Sequence, residues 1–288
     1  MRINREQLVK IGVHGQVDHP RMKGFRVGYD GKGRMPIGTG GITYSHAIGD
    51  SCMGLAGDHV EPGISLANPS NPENHALETF ACVGNEARII NGPQKGKKGY
   101  VSGTHGGIDH TMICFDKKIL EEMDGNETIL VKAYGQGLKL LDHEDIYVMN
   151  IDPDLWEAIP IEETENGITF PVVTIVPAFL MGSGLGSNTM MEGDYDIMTQ
   201  DQEANETYGL NNLRFGDFVA ILDHDNEYGP HYLKGSISVG VIVHSDSYTS
   251  GHGPGVCVIA TSKSGSIQPV ITEDANLKNY MKHVKRKG

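Results

Sequence analysis

Phe218-Val219-Ala220-Ile221-Leu222 runs straight into Asp223-His224-Asp225-Asn226-Glu227-Tyr228-Gly229, so a short apolar stretch meets an acidic segment closed by glycine. Five residues rich in β-branched and aromatic side chains suit a buried strand, and the polar stretch after them has the composition of a loop. The same pattern recurs at Ile129-Leu130-Val131-Lys132-Ala133-Tyr134, Phe170-Pro171-Val172-Val173-Thr174-Ile175-Val176 and Val239-Gly240-Val241-Ile242-Val243. Each is bounded by Gly, Pro, Asp or Asn, the residues that end strands in turns. Helices are predicted to be few and short: Pro72 to Cys82, Lys117 to Met123 behind Asp116, Leu155 to Ile159 behind Asp152-Pro153, and one over Leu277 and Tyr280 behind Thr272. The 38 glycines among 288 residues are about twice the usual share of roughly 7%, which indicates many tight turns and bulges. The expected fold is therefore mainly β, of the α+β type, with glycine-rich β-barrel or sandwich-like sheets and few short helices.

A charged stretch from Pro160 to Gly167, holding Glu162, Glu163 and Glu165, has the composition of a linker. It predicts an N-terminal β-rich domain over residues 1–165 and a C-terminal one over 166–288. The net charge of −13 repels phosphate backbones and anionic membrane surfaces, so neither nucleic acid nor membrane is an expected partner. No apolar leader follows Met1-Arg2-Ile3-Asn4-Arg5-Glu6 and no run approaches about 18 apolar residues, which points to a cytoplasmic protein. Cys52, Cys82, Cys114 and Cys257 form no C-x-x-C pair and are expected as reduced, buried thiols. The run Gly92-Pro93-Gln94-Lys95-Gly96-Lys97-Lys98-Gly99-Tyr100-Val101 resembles the KOW turn of ribosomal and transcription proteins. With an acidic chain and no aromatic stacking platform beside it, the reading is a shared turn geometry without RNA.

Chemistry concentrates in Thr104-His105-Gly106-Gly107-Ile108-Asp109-His110, which packs two imidazoles and a carboxylate around paired glycines. Imidazole and carboxylate are ligands for Zn²⁺ and similar ions. Asp-His dipeptides recur at residues 18, 58, 109, 142 and 223, against about one expected by chance from composition. The pairs at 58, 109 and 223 lie in glycine-rich or acidic loops, whereas Asp142-His143-Glu144-Asp145 reads as a solvated acidic loop. A divalent-metal site built from His105, His110, Asp58, His59 and Asp223 is expected, with Glu61 as general base and Asp109 as a second catalytic group. Zn²⁺ is favoured by the histidines, and Mg²⁺, Mn²⁺ or Ca²⁺ would suit the carboxylates. Gly106, Gly107, Gly182, Ser183, Gly184 and His252 are expected to line a small-molecule ligand or substrate. The loop Gly182-Ser183-Gly184-Leu185-Gly186-Ser187-Asn188-Thr189 misses the dinucleotide fingerprint, because its third glycine comes one position early. Ser183, Ser187 or Thr189 could serve as a nucleophile, but no nucleophile elbow surrounds them. His244, like His252 in Gly251-His252-Gly253-Pro254-Gly255, is a weaker candidate.

Gly57-Asp58-His59-Val60-Glu61-Pro62-Gly63, His105-Gly106-Gly107-Ile108-Asp109-His110, Gly182-Ser183-Gly184-Leu185-Gly186, Gly216-Asp217-Phe218-Val219 and the Gly251 to Gly255 loop together resemble a prokaryotic family, domain of unknown function 4438. That resemblance covers nearly the whole chain and implies a fold without a reaction. A fainter one is to the metal-associated acetamidase/formamidase family, with its His-Gly-Gly-Asn-x-Asp motif and later Pro-Val-x-x-Pro-Gly-Ala-Leu run. His105-Gly106-Gly107-Ile108-Asp109 is similar to the first motif, without its asparagine and one residue shorter. Pro171-Val172, Val176-Pro177-Ala178-Phe179-Leu180 and Gly193-Asp194-Tyr195-Asp196 are similar to the second. It implies metal or substrate roles for His105 and Asp109. The resulting expectation is a metal-dependent hydrolase of a small amide C-N bond, the alternative being a non-catalytic small-molecule-binding or homo-oligomeric scaffold protein.

Overall fold

Alternation is plain in the strand Thr128–Ala133, where Ile129, Val131 and Ala133 are buried and the residues between them are less so. Period-two burial places one side of a sheet on a core. Here the sheet wraps around that core. In the computed structural model, which describes residues 1–21, 24–185 and 189–287, the strands Ile11–Val17, Thr128–Ala133, Glu86–Ile89, Lys98–His105, His110–Cys114 and Gly63–Ala67 pair in that order. Gln16 and Val17 then pair with Ala67 and Leu66, closing a six-stranded antiparallel barrel filled by Val13, Ile64, Leu66, Ile113, Ile129 and Val131 among others. Closure removes the exposed edges that an open sheet would present.

The second sheet runs Thr174–Val176, Phe218–Asp225, His231–Ile242, Gly255–Ser262, Tyr195–Ile197, Met181–Leu185, and Ile146–Val148 joins it beside Gly255–Ser262. It curls into a nearly closed barrel-like sheet. Phe218, Val219, Ala220 and Ile221 are all fully buried, so both faces of this strand are covered and the sequence there is continuously apolar rather than alternating. The strand also extends further than the apolar run. Asp223–Asp225 continue it past a bulge between Leu222 and His224, and the chain returns as His231–Ile242. Asp223 occupies the bulge at φ 53°, and its carboxylate accepts the Gly235 N–H at 2.7 Å.

Helices form at Asn71–Phe80, Lys117–Leu120, Pro153–Ala158 and Leu277–Met281, close to the predicted places. Asp152 caps its helix by accepting the Asp154 N–H, but the last helix is capped by Asn276 rather than opened at Thr272. A helix at Gln202–Thr207, capped by Asp201, was not anticipated, because its sequence carries almost no apolar periodicity. None of the helices among the described residues is long and apolar enough to cross a membrane. Residue 165 falls in the turn between Glu163–Thr164 and Gly167–Val172, which pair with each other. The two sheets share one buried cluster in which Val60, Val83 and Met112 join Val241, Val243 and Cys257. All four cysteines are free, three of them buried, and Gly92–Gly96 forms the turn between two barrel strands.

Candidate metal centre

The seven-residue stretch Thr104 to His110 is the tip of a hairpin. His105 and His110 end and begin adjacent strands and pair directly, so both rings project from one face of the sheet. The four residues between them make the turn. Asp109 sits there exposed, in the left-handed region at φ 61°, and its carbonyl accepts a bond from the Asn74 amide. Asp109 is exposed, whereas the rings of His105 and His110 are buried.

Glu61, just before the strand Gly63–Ala67, lies between the two histidines. One oxygen accepts from Gly40 N–H at 2.7 Å and Ser65 Oγ at 2.6 Å, and the other lies 2.6 Å from His105 Nδ1. His110 Nδ1 is 2.9 to 3.0 Å from both oxygens, and His110 Nε2 is 3.1 Å from Asp18 Oδ2. Burial alone would raise the Glu61 pKa, but the His110 and His105 rings hold it well below the usual carboxylate range. Burial opposes the charge of His110 as well, yet Glu61 and Asp18 carry its pKa up to about 9. With both nitrogens engaged by carboxylates, His110 has none left for an ion. Glu61, expected as a general base, likewise has no free acceptor position. What it does is fix the His105 ring with Nδ1 as donor, leaving Nε2 as the lone pair, the arrangement that carboxylates impose on metal-binding histidines.

His105 Nε2 faces the second sheet. His244 follows the strand His231–Ile242, and its ring centroid is 4.1 Å from that of His105. His244 Nδ1 lies 2.9 Å from the Ser245 carbonyl; since a carbonyl can only accept, Nδ1 carries a proton, and in the neutral ring Nε2 is the lone pair. That lone pair lies 2.7 Å from Asp194 Oδ2 and 3.4 Å from Asp196 Oδ1. The angles there do not make a hydrogen bond, so His244 Nε2 and Asp194 Oδ2 are both buried without a partner. Two facing lone pairs repel unless a cation or proton lies near them. Accordingly, although burial disfavours a charged ring, the Asp194 and Asp196 carboxylates lift the His244 pKa well above its ordinary value. For His105 the balance is reversed: burial and the His244 charge outweigh Glu61 and lower its pKa.

Asp194 and Asp196 share one face of the short strand Tyr195–Ile197 and its approach, two residues apart. Gly106 N–H donates to Asp194 Oδ1 at 2.8 Å, and Thr104 Oγ1 donates to the Gly193 carbonyl at 3.1 Å, which seams the barrel hairpin to the second sheet. Gly255, opposite Asp196 in the adjacent strand, has no room for a side chain, since a Cβ would overlap Asp194 Oδ2 and His244 Nε2.

His59 completes the group. It adopts φ 52°, a conformation costly for a non-glycine residue by about 1 kcal/mol or more. Val60 N–H to Ser245 Oγ at 2.8 Å and Ser245 N–H to the Val60 carbonyl at 3.0 Å hold the segment in place. Asp58 Oδ2 lies 3.2 Å from His59 Nδ1, while Asp58 Oδ1 accepts from Ser247 Oγ at 2.5 Å. His59 Nε2 is 3.1 Å from His252 Nδ1, and His252 Nδ1 is 3.0 Å from Asp196 Oδ2. Three sets, His59–His105–His244, His59–Asp196–His252 and Asp194–Asp196–His244, each bring ligand atoms within 4.8 Å of one another. These buried His and Asp groups can hold a metal ion.

Of the residues expected in the site, His59, His105 and His252 are in the cluster, Asp58 and Glu61 brace its rings, and His110 supports Glu61. Asp109 and Asp223 stand apart, Asp109 in the hairpin turn and Asp223 in the strand bulge. Gly106 lends its N–H to Asp194, and Gly107 lies exposed in the turn. Gly182, Ser183 and Gly184 lie in the strand Met181–Leu185 rather than a loop, with the Ser183 N–H bonded to the Gly251 carbonyl at 2.9 Å. Ser187 falls outside the described residues. Asp194, Asp196 and the importance of His244 were missed. The spacing Asp194-Tyr195-Asp196 before an apolar residue, a strand with two carboxylates on one face, was the available signal. A cleft of about 550 Å³ has walls that include Gly57, Gln200, Asp246 and Ser247, chain neighbours of the cluster, while none of the clustered His and Asp residues lines it. Gln200 donates to the carbonyl of His252 at 2.7 Å.

Comparison with known proteins agrees with this architecture. The models of the domain of unknown function DUF4438 match as an N-terminal part over residues 25–157 and a C-terminal part over residues 158–281. The crystal structure of TM1086 superposes with a TM-score of 0.93 at 45% identity, covering 97% of this chain and 99% of that one. No curated protein matches the chain. The fainter amidase likeness finds no support in these comparisons. Matched over both of its parts from residue 25 to residue 281, the chain belongs to the DUF4438 family.

Proposed function

We propose that this protein is a metal-dependent hydrolase acting on a small amide C-N bond. The observation that carries the reading is the pair of imidazoles whose Nδ1 atoms are tied down, His105 by Glu61 and His244 by the Ser245 carbonyl, which turns their Nε2 atoms to ligand duty in a group with His59 whose ligand atoms lie within 4.8 Å of one another. Three histidines with an open fourth position are a common catalytic zinc arrangement. His59, His105 and His244 would hold a divalent ion there, which would supply a Lewis acid for a carbonyl and lower the pKa of a bound water toward about 7. The water oxygen bonds to the carbonyl carbon, the C-N bond breaks, and the water proton passes through Asp194 Oδ2 to the departing nitrogen. Asp194 suits that role as a buried carboxylate oxygen without a hydrogen-bond partner. The cleft beside Gly57 and Ser247 is the place for the small-molecule substrate. The amide preference is supported by the way the fold joins the two amidase-like segments, His105-Gly106-Gly107 and Gly193-Asp194-Tyr195-Asp196, through the Gly106 to Asp194 bond.

Elemental analysis of the purified protein, followed by an amide-substrate panel, tests this reading. Tightly bound metal that is lost in His105→Ala, together with metal-dependent ammonia or amine release, is the expected result. Folded protein that takes up no divalent ion and has an unchanged melting curve on adding it would favour the scaffold alternative.

A further inference from the structure

The two oxygens of Asp196 face different histidines. Oδ1 lies 3.4 Å from His244 Nε2, on the His105 side. Oδ2 lies 3.0 Å from His252 Nδ1 and 3.5 Å from His59 Nε2, while those two nitrogens are 3.1 Å apart. Ligand atoms bound to one ion at about 2.1 Å in a tetrahedron are separated by about 3.4 Å. These spacings match those of ligands sharing an ion, and Asp196 belongs to two such groups, one with His59 and His252 and one with Asp194 and His244. His59 Nδ1 is turned toward Asp58, which leaves Nε2 for the outer group. Asp196 is nearly fully buried, and beside it His244 Nε2 and Asp194 Oδ2 form a buried 2.7 Å ion pair without hydrogen-bond geometry. A carboxylate so placed, between two such groups, has the geometry of a bridge.

We infer that the centre binds two divalent ions bridged by Asp196. The inner ion is held by His244 Nε2 and Asp196 Oδ1, with Asp194 Oδ2 within reach of both. The outer ion is held by His59, His252 and Asp196 Oδ2, with His59 drawn from the inner group to which it also reaches. Ions bridged in this way sit about 3.5–4 Å apart, close enough to clamp both the attacking and departing atoms of a displacement. The outer ion is the one open to solvent: the His252 side chain is 32% exposed, whereas His244 is wholly buried. The outer position is thus placed to receive the substrate oxygen, and the inner one to hold the attacking water. This inference rests on the metal-dependent reading proposed above and adds a second ion to it.

The full-length protein, stripped with chelator, loaded with Mn²⁺ and freed of excess by gel filtration, is the material for the test. Two equivalents per chain and a spin-coupled Mn²⁺ pair in the paramagnetic resonance spectrum are expected. His252→Ala should fall to one equivalent with an uncoupled signal. One uncoupled equivalent in the unaltered protein would overturn the bridge while leaving the single-ion reading intact, and none would overturn both. Two equivalents that persist in His252→Ala would also overturn the assignment. The spectrum of the unaltered protein decides the matter if the variant does not fold.

Discussion

Replacing Glu61 by Gln keeps the size of the side chain and removes its charge, and the surrounding donors dictate how the amide must sit. Gly40 N–H and Ser65 Oγ both donate to Oε2, so the carbonyl oxygen of Gln has to take that place. Its NH₂ then occupies the Oε1 position, 2.6 Å from His105 Nδ1. Two N–H donors cannot face each other there. The His105 ring must accept at Nδ1, and in its neutral form this moves the proton to Nε2, the atom offered to the ion. Loss of such an orienting partner lowers metal affinity about 10–100-fold, equivalent to about 1.4–2.8 kcal/mol of binding free energy. The metal-free protein loses about 3 kcal/mol as well, because the buried His110 charge keeps only Asp18 as counter-ion. Zinc titration of chelator-stripped protein by calorimetry measures the first effect, and urea denaturation of the same sample measures the second. Unchanged affinity in a folded Glu61→Gln variant would refute the claim that Glu61 sets the His105 tautomer.

Asp223→Ala should leave metal affinity within a factor of two and cost about 1 kcal/mol in urea stability, the worth of its bond to Gly235; a large affinity loss would return Asp223 to the site. Asp109→Ala should also leave metal affinity unchanged by the same titration, because Asp109 is exposed in the hairpin turn. Glu78 gives a pH-dependent prediction: burial, with Asp109 and Glu192 nearby, pushes its carboxyl up to about 8. A folded pKa above the unfolded one means the unfolded chain releases this proton first, so stability falls as pH rises from about 4.5 to about 8. Glu78→Gln should therefore be more stable than the unaltered protein at pH 8.5, by on the order of 3 kcal/mol, and show little difference at pH 4; equal differences at both pH values would contradict it. Saturating Zn²⁺ at about 100 times its dissociation constant should stabilise the unaltered protein by about 2.7 kcal/mol, whereas Gly255→Ala, whose Cβ fills the space between Asp194 and His244, should gain nothing in the same melts.

Local chemistry made the strands legible. Phe218 to Leu222 and Ile129 to Tyr134 carry residues that fit only a buried pleated surface, and the glycine content foretold turns and bulges. Closure of the barrel was not legible, because it depends on Gln16 and Val17 meeting Ala67 and Leu66 across some fifty residues. The site was half legible for the same reason. Thr104 to His110 is a local motif and was visible, but its two rings have different tasks, and only the placement of Glu61 and Asp18 separates them. Asp-His adjacency favoured Asp109 and Asp223, yet both sit at positive φ, Asp109 in a hairpin turn and Asp223 in a strand bulge where its carboxylate bonds to Gly235, uses of Asp that sequence shares with metal binding. His244, Asp194 and Asp196 belong to another sheet and reach His105 only through tertiary packing.

The proposed metal centre stands or falls on whether an ion sits between His105 and His244. Crystals of the zinc-loaded protein, measured on both sides of the zinc absorption edge, locate it directly. The predicted result is an anomalous peak about 2.0–2.1 Å from the Nε2 atoms of both rings. Zinc-loaded crystals with no peak at that position, or with His105 Nε2 bonded to a protein acceptor instead, would contradict the central claim.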